Sequence, residues 1–152
     1  MLIRDFVEVA LPIETVVSRV ADPRLWTRVL DGDLDPDDHT LLARFGISGL
    51  FAALGRRAEV RVGAPRRQER GTVIDLQWQA AGGAGWLPVM HADLSLSALG
   101  AAATHVEFSG SYSPPGGLPG RVADRVVLHH VAEYAVRIAL TRMVDDLTGV
   151  RT

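Results

Sequence analysis

Residues 90–112 read MHADLSLSALGAAATHVEFSGSY, and the fold turns on how they are read. Met90, Ala92, Leu94 and Leu96 alternate with His91, Asp93, Ser95 and Ser97. After a turn at Leu99–Ala102, Val106, Phe108, Gly110 and Tyr112 alternate with His105, Glu107, Ser109 and Ser111. A period of two sends successive side chains to opposite faces of a strand. Bending the stretch so that Leu96 meets Val106 sets Leu94 against Phe108 and Met90 against Tyr112. The same register sets Ser97 against His105 and Ser95 against Glu107. Apolar pairs with apolar and polar with polar, as a hairpin with one covered and one wet face requires.

The pattern extends upstream. Ala58, Val60 and Val62 alternate with Glu59 and Arg61, and Ile74, Leu76 and Trp78 with Asp75, Gln77 and Gln79. Gly82, Gly83 and Gly85 mark a flexible hairpin tip. At the start of the chain Ile3, Val7, Val9 and Leu11 share one face of a strand and Arg4 and Glu8 the other, with Asp5 a misfit on the apolar side. Pro12 opens a helix running through Val20, and Asp22-Pro23, an N-cap followed by proline at the first helical position, opens another over Arg24–Leu30. Five of the eight residues Asp31–Asp38 are aspartate. A calcium loop needs a glutamate at its twelfth position, where Leu42 stands, so a solvated loop is expected. Residues 41–54 read as a short strand to about Gly46, then an irregular apolar loop around Phe51.

Ser113-Pro114-Pro115-Gly116-Gly117 breaks the chain, and alternation ends there. From about Pro119 to Leu147 there is no glycine after Gly120 and no further proline, which predicts one helix on the order of 40 Å long. Val127, Val131, Tyr134 and Ile138 share one side. Leu128, Ala132, Ala135, Ala139 and Met143 share a second, and Val122, Val126, Leu140 and Val144 a third. A helix apolar nearly all round is extensively buried. Either a sheet wraps it or it also meets a second subunit, a homodimer being the form the second case takes.

Composition narrows the chemistry. The chain has 152 residues, enough for a single domain, with 47% hydrophobic and 22% charged residues. All 16 basic residues are arginine against 18 acidic, so the net charge of −2 argues against a general nucleic-acid binder. Cysteine, lysine and asparagine are absent, which excludes disulfides, thiolate nucleophiles, cysteine-ligated metals and Schiff-base chemistry. No stretch reaches the ~18 apolar residues of a membrane span, and Arg4-Asp5 falls where a signal peptide needs its apolar core. A cytoplasmic protein is the expectation.

A strand, two short helices, a run of antiparallel strands and a long final helix resemble the START/Bet v 1-like helix-grip fold, an α+β architecture. The stretch Phe6–Val16 with its Pro12-Ile13-Glu14-Thr15-Val16 helix start, followed by Trp26, is similar to the opening of bacterial polyketide cyclase/dehydrase-like proteins of the SRPBCC superfamily. Ala58–Gly63 and Tyr112–Gly117, leading into a helix with Asp124, fit the same pattern, and the resemblance spans essentially the whole chain. It implies a curved sheet wrapped around the final helix and a cavity holding a small hydrophobic molecule, lipid or polyketide-like. It also implies that Gly46–Gly55 sits at an entrance, where Leu50, Phe51 and Leu54 gate the cavity. Members of this superfamily include carriers, cyclases, dehydratases and partner-binding proteins, so fold does not choose among them.

The expected wall is Trp26, Phe51, Ile74, Leu76, Trp78, Trp86, Met90, Leu94, Phe108 and Tyr112, with His130 and Tyr134 entering from the long helix. A solid core is the competing reading of the apolar members. His129 and Glu133 lie one turn apart, His130 points about 100° away, and no His-Glu-x-x-His spacing exists, so no metal site is expected. His91 with Asp93 and His105 with Glu107 fall on the wet face. Arg56, Arg57, Arg61, Arg66, Arg67 and Arg70 form a basic cluster suited to strand ends and turns, or to an anionic ligand or partner. Three functions stay open: a cofactor-free binder of a small hydrophobic molecule, which the scarcity of inward acids and bases favours; a cyclase/aromatase or dehydratase using His130, Tyr134 and Tyr112 with Arg57 or Arg61 at the entrance; and a partner-binding module.

Overall fold

The computed structural model describes residues 2–30, 32–34, 40–43, 58–80, 89–112 and 122–150. In chain order these form β1 (Leu2–Val9), α1 (Ile13–Val20), α2 (Pro23–Val29), β2 (Gly32–Leu34), β3 (Thr40–Ala43), β4 (Ala58–Val62), β5 (Arg66–Gln68), β6 (Gly71–Ala80), β7 (Met90–Leu99), β8 (Ala103–Tyr112) and α3 (Val122–Thr148). The strands make one antiparallel sheet in the order β1-β8-β7-β6-β4-β3-β2, with β5 pairing the first residues of β6. The sheet curves over α3. The β7–β8 register is the expected one, Leu96 opposite Val106, Leu94 opposite Phe108 and Met90 opposite Tyr112. Gly100, at φ +66°, supplies the left-handed residue of the connecting turn.

The helix starts follow the chemistry of their first residues. Pro12 precedes α1, and the Asp22 carboxylate accepts from the Arg24 backbone N–H at 2.9 Å while Pro23 takes the first helical position of α2. Two short strands were not anticipated. β2 takes three residues of the aspartate-rich segment expected to be a loop, and pairs with β3. β5 is fully exposed, and Arg66–Gln68 offers no apolar alternation; its pairing with Gly71–Val73 follows from the tight turn between them.

Inward side chains of the sheet form rows across the strands. One runs Ile74–Leu94–Phe108–Asp5, the next Leu76–Ala92–Gly110–Ile3, and the next Val60–Trp78–Met90. Thr104, also inward and fully buried, donates to the Leu11 carbonyl at 2.8 Å, so its hydroxyl is satisfied inside the core. The misfit Asp5 is explained by its partners. One carboxylate oxygen accepts from the Phe6 backbone N–H at 2.9 Å, and the other lies 3.4 Å from Arg137 Nε of α3. Because β1 ends the sheet, that first contact covers an edge N–H that would otherwise invite another strand.

The last four turns of α3 are held from two sides. Val136, Leu140, Met143 and Leu147 are buried at spacings of three and four residues. Arg28 of α2 grips Asp146 with two parallel bonds, Nε to Oδ1 at 2.6 Å and Nη2 to Oδ2 at 2.8 Å. That hydrogen-bonded carboxylate raises the Arg28 pKa above its ordinary value, against a small opposing desolvation. Arg19 of α1 donates to the Leu147 carbonyl, and Arg142 reaches the Val29 carbonyl at 3.5 Å. No described helix is long and apolar enough to cross a membrane.

Candidate functional site

Between the sheet and α3 lies an apolar cavity of about 40 Å³. The sheet contributes Val60, Leu76, Trp78, Leu94 and Phe108, α2 contributes Trp26 and Leu30, and α3 contributes Ala135, Val136, Ala139, Leu140 and Met143. The Trp26 indole N–H is already spent on the Val20 carbonyl at 2.8 Å, so this ring presents only carbon to the space. The helix side is built partly from alanine, which leaves clearance above the sheet where larger residues would close it.

Trp78 and Phe108 come from strands separated by β7 and still stack, with centroids 5.9 Å apart and planes 24° from parallel. They stand in rows on either side of the row that holds Ala92 and Gly110, two small residues directly opposite each other. With no bulk between them, both rings lie down over the strand backbone. Stacking of this kind adds about 0.5–1.5 kcal/mol beyond area burial. Phe108 is 4% exposed, whereas Trp78 is only partly buried, so the stack runs from the core toward the rim.

Of the wall residues named from the sequence, Trp26, Leu76, Trp78, Leu94 and Phe108 converge on one space. Met90 and Ile74 are buried in the inward rows and are not among the cavity's lining residues. Phe51 and Trp86 lie outside the described residues, as does the Gly46–Gly55 segment. Tyr112 ends β8 opposite Met90, and its side chain is likewise outside them. The two residues expected to enter from the long helix do not. The His130 side chain is 73% exposed, with Nδ1 3.5 Å from Glu133, and Tyr134 is 58% exposed. Both face solvent because the inward stripe of α3 is Ala132, Ala135, Val136, Ala139, Leu140, Met143, and residues 130 and 134 lie off it. His129 meets the same Glu133 carboxylate at 3.1 Å. Among the described residues no cluster of three or more histidine, aspartate or glutamate side chains is placed to hold a metal.

Ala135 and Ala139 line this space as well, although neither belongs to the wall expected from the sequence. Their signal is their place on the stripe defined by Val136, Leu140, Met143 and Leu147, which ranking by side-chain size overlooks.

The opposite face of the sheet carries a wider hollow of about 600 Å³, lined by Arg61, Asp75, Gln77, His91, Asp93, Ser109 and Ser111. Its volume is larger because it is open to water, and its groups are solvated or paired, as Asp75 is with Arg66 at 2.6 Å. His91 and Asp93 lie on this wet face, as alternation implies, and ion pairs there contribute little. The space between the sheet and α3 is by contrast small and apolar, lined from the sheet and two helices.

The chain has the α+β helix-grip fold of the START and Bet v 1 type. No protein-family model matches it, and no curated protein is similar to it in sequence. Solved structures carry the likeness. A START superfamily protein from Mycobacterium smegmatis superposes with a TM-score of 0.59 at 17% identity, over 96% of this chain and 98% of that one. Norcoclaurine synthase from Thalictrum flavum, solved with dopamine and hydroxybenzaldehyde, gives 0.64 at 9% identity, over 100% and 88%. The Zhui aromatase/cyclase from Streptomyces sp. R1128 gives 0.58 at 14% identity, over 97% and 93%.

Proposed function

We propose that this protein binds a small hydrophobic molecule between the inner face of its sheet and α3. The observation that carries this reading is the lining itself. Sheet, α2 and α3 each turn apolar atoms to one space, and alanines hold the helix surface back from a stacked tryptophan–phenylalanine pair. Burying apolar ligand surface there is favourable at about 25 cal/mol per Å². A space of about 40 Å³ is far below the ~300–1,000 Å³ of an ordinary ligand pocket. A ligand of ordinary size therefore enters by displacing side chains of the wall, with Trp78 the partly exposed one.

The alternative of a cyclase or aromatase draws support from the likeness to the Zhui enzyme. It needs a proton-transfer group within hydrogen-bond reach of the substrate. None of the described lining residues is a histidine, tyrosine or carboxylate, so binding is the better-supported reading. Native mass spectrometry and solvent extraction of the protein purified from its own host test it. A stoichiometric apolar molecule is the expected result. A ligand-free protein that also takes up no N-phenyl-1-naphthylamine, an uncharged apolar dye, would overturn it.

A further inference from the structure

Gly110 occupies an inward, buried position on β8 without needing a glycine's backbone freedom. Its φ is not among the positive ones, which belong to Gly71, Gly100 and Gly149. The reason for glycine there must be what a side chain would strike. A Cβ at Gly110 would lie 2.8 Å from Phe108 Cε1, 3.0 Å from Phe108 Cζ and 3.1 Å from Met90 Sδ. Real Cβ atoms do not approach carbon that closely, so the ring would have to move. The obstructing atoms are the far edge of a ring and a thioether, not backbone, and the ring can turn on its own torsions.

The direction of that movement is set by the neighbours. A Cβ on inward-facing Gly110 would rise from the sheet against the Phe108 ring and Met90, and the space that the ring shares with Trp78 lies between the sheet and α3. We infer that Gly110 is a recess for the Phe108 ring, holding it back from the space under α3 and thereby setting the size of apolar molecule the inner face accepts. This rests on the binding reading above. A methyl group at position 110 swings the ring into a void of only about 40 Å³ and fills it. Gly110 then determines ligand size without touching the ligand, as a positioning residue acting through Phe108.

A four-protein comparison tests this: wild type, Gly110→Ala, Phe108→Leu and the double variant, each titrated with N-phenyl-1-naphthylamine and each melted without dye. Gly110→Ala is expected to weaken dye binding at least tenfold. The double variant is expected to return to within about threefold of Phe108→Leu, because a leucine has no ring edge over position 110. Thermal melting should show the same coupling, Gly110→Ala lowering Tm in the parent and much less in the Phe108→Leu background. Dye binding that Gly110→Ala leaves unchanged, or melting shifts that simply add, would overturn the recess. A wild-type protein that takes up no dye fails the binding reading itself, and the melting cycle then decides the recess alone.

Discussion

The two ends of α3 do opposite things with one helix. From Val136 onward every third or fourth residue is a buried large side chain, and three arginines from α1, α2 and α3 itself tie the last turns to neighbouring backbone and carboxylate. From His129 to Ala135 the exposed side carries His130, Glu133 and Tyr134, and the inward side carries alanine. One end is an anchor of large side chains, and the other meets the core through alanine. Rigidity at one end lets the other leave space without the helix lifting away, because dispersion and burial at the anchor supply the attachment.

Breaking the anchor should give the largest effect. Leu147 is 1% exposed and takes no part in the cavity wall, so Leu147→Ala should destabilise the fold by about 2–5 kcal/mol in urea unfolding. Dye affinity per folded molecule should change little. Filling the space that α3 lines between Ala135 and Met143 should act the other way round. Ala139→Leu places a large side chain in the cavity and should abolish dye uptake, with overpacking costing about 1–3 kcal/mol. If Ala139→Leu still binds dye with wild-type affinity, the two ends of the helix do not divide labour as described. Arg28→Ala should cost about 0.5–1 kcal/mol or less, since Arg28 is more than half exposed and solvent screens its pair with Asp146; raising the salt concentration should shrink the difference. Smallest of all, His130→Ala and Tyr134→Phe should each shift stability by no more than about 0.5 kcal/mol and leave dye binding intact. A loss of binding in either would return that side chain to the site.

Legibility in the sequence followed the physics of each element. The β7–β8 hairpin could be registered residue by residue because alternation limits the pairing to registers that keep apolar with apolar and the tight turn at Leu99–Ala102 selects among them. The openings of α1 and α2 were readable from Pro12, Asp22 and Pro23, whose roles are local. The orientation of α3 was not readable, since a helix apolar on three sides does not say which side meets the sheet, and Tyr134 outweighed the alanines that prove to face inward. Asp5 looked like an error of pattern until its partners were visible, one in the next residue and the other, Arg137, 132 positions away. The stacking of Trp78 on Phe108 likewise depends on Ala92 and Gly110 standing side by side, a fact of register that no single strand contains.

The pairing of β1 with β8 has a consequence for how the chain is made. Leu2 sits opposite Ser111, so β1 leaves a ribosome about a hundred residues before its neighbour exists. The inner face of the sheet waits longer, because its cover, α3, follows the sheet in the chain. At about 5–20 residues per second, adding the 27 residues of that helix takes on the order of seconds. Throughout that interval Trp78, Phe108 and the rest of the sheet's inner face have only one another, the short helices and water for company. The stack over Ala92 and Gly110 is then the nascent sheet's own means of hiding its largest rings until the helix arrives.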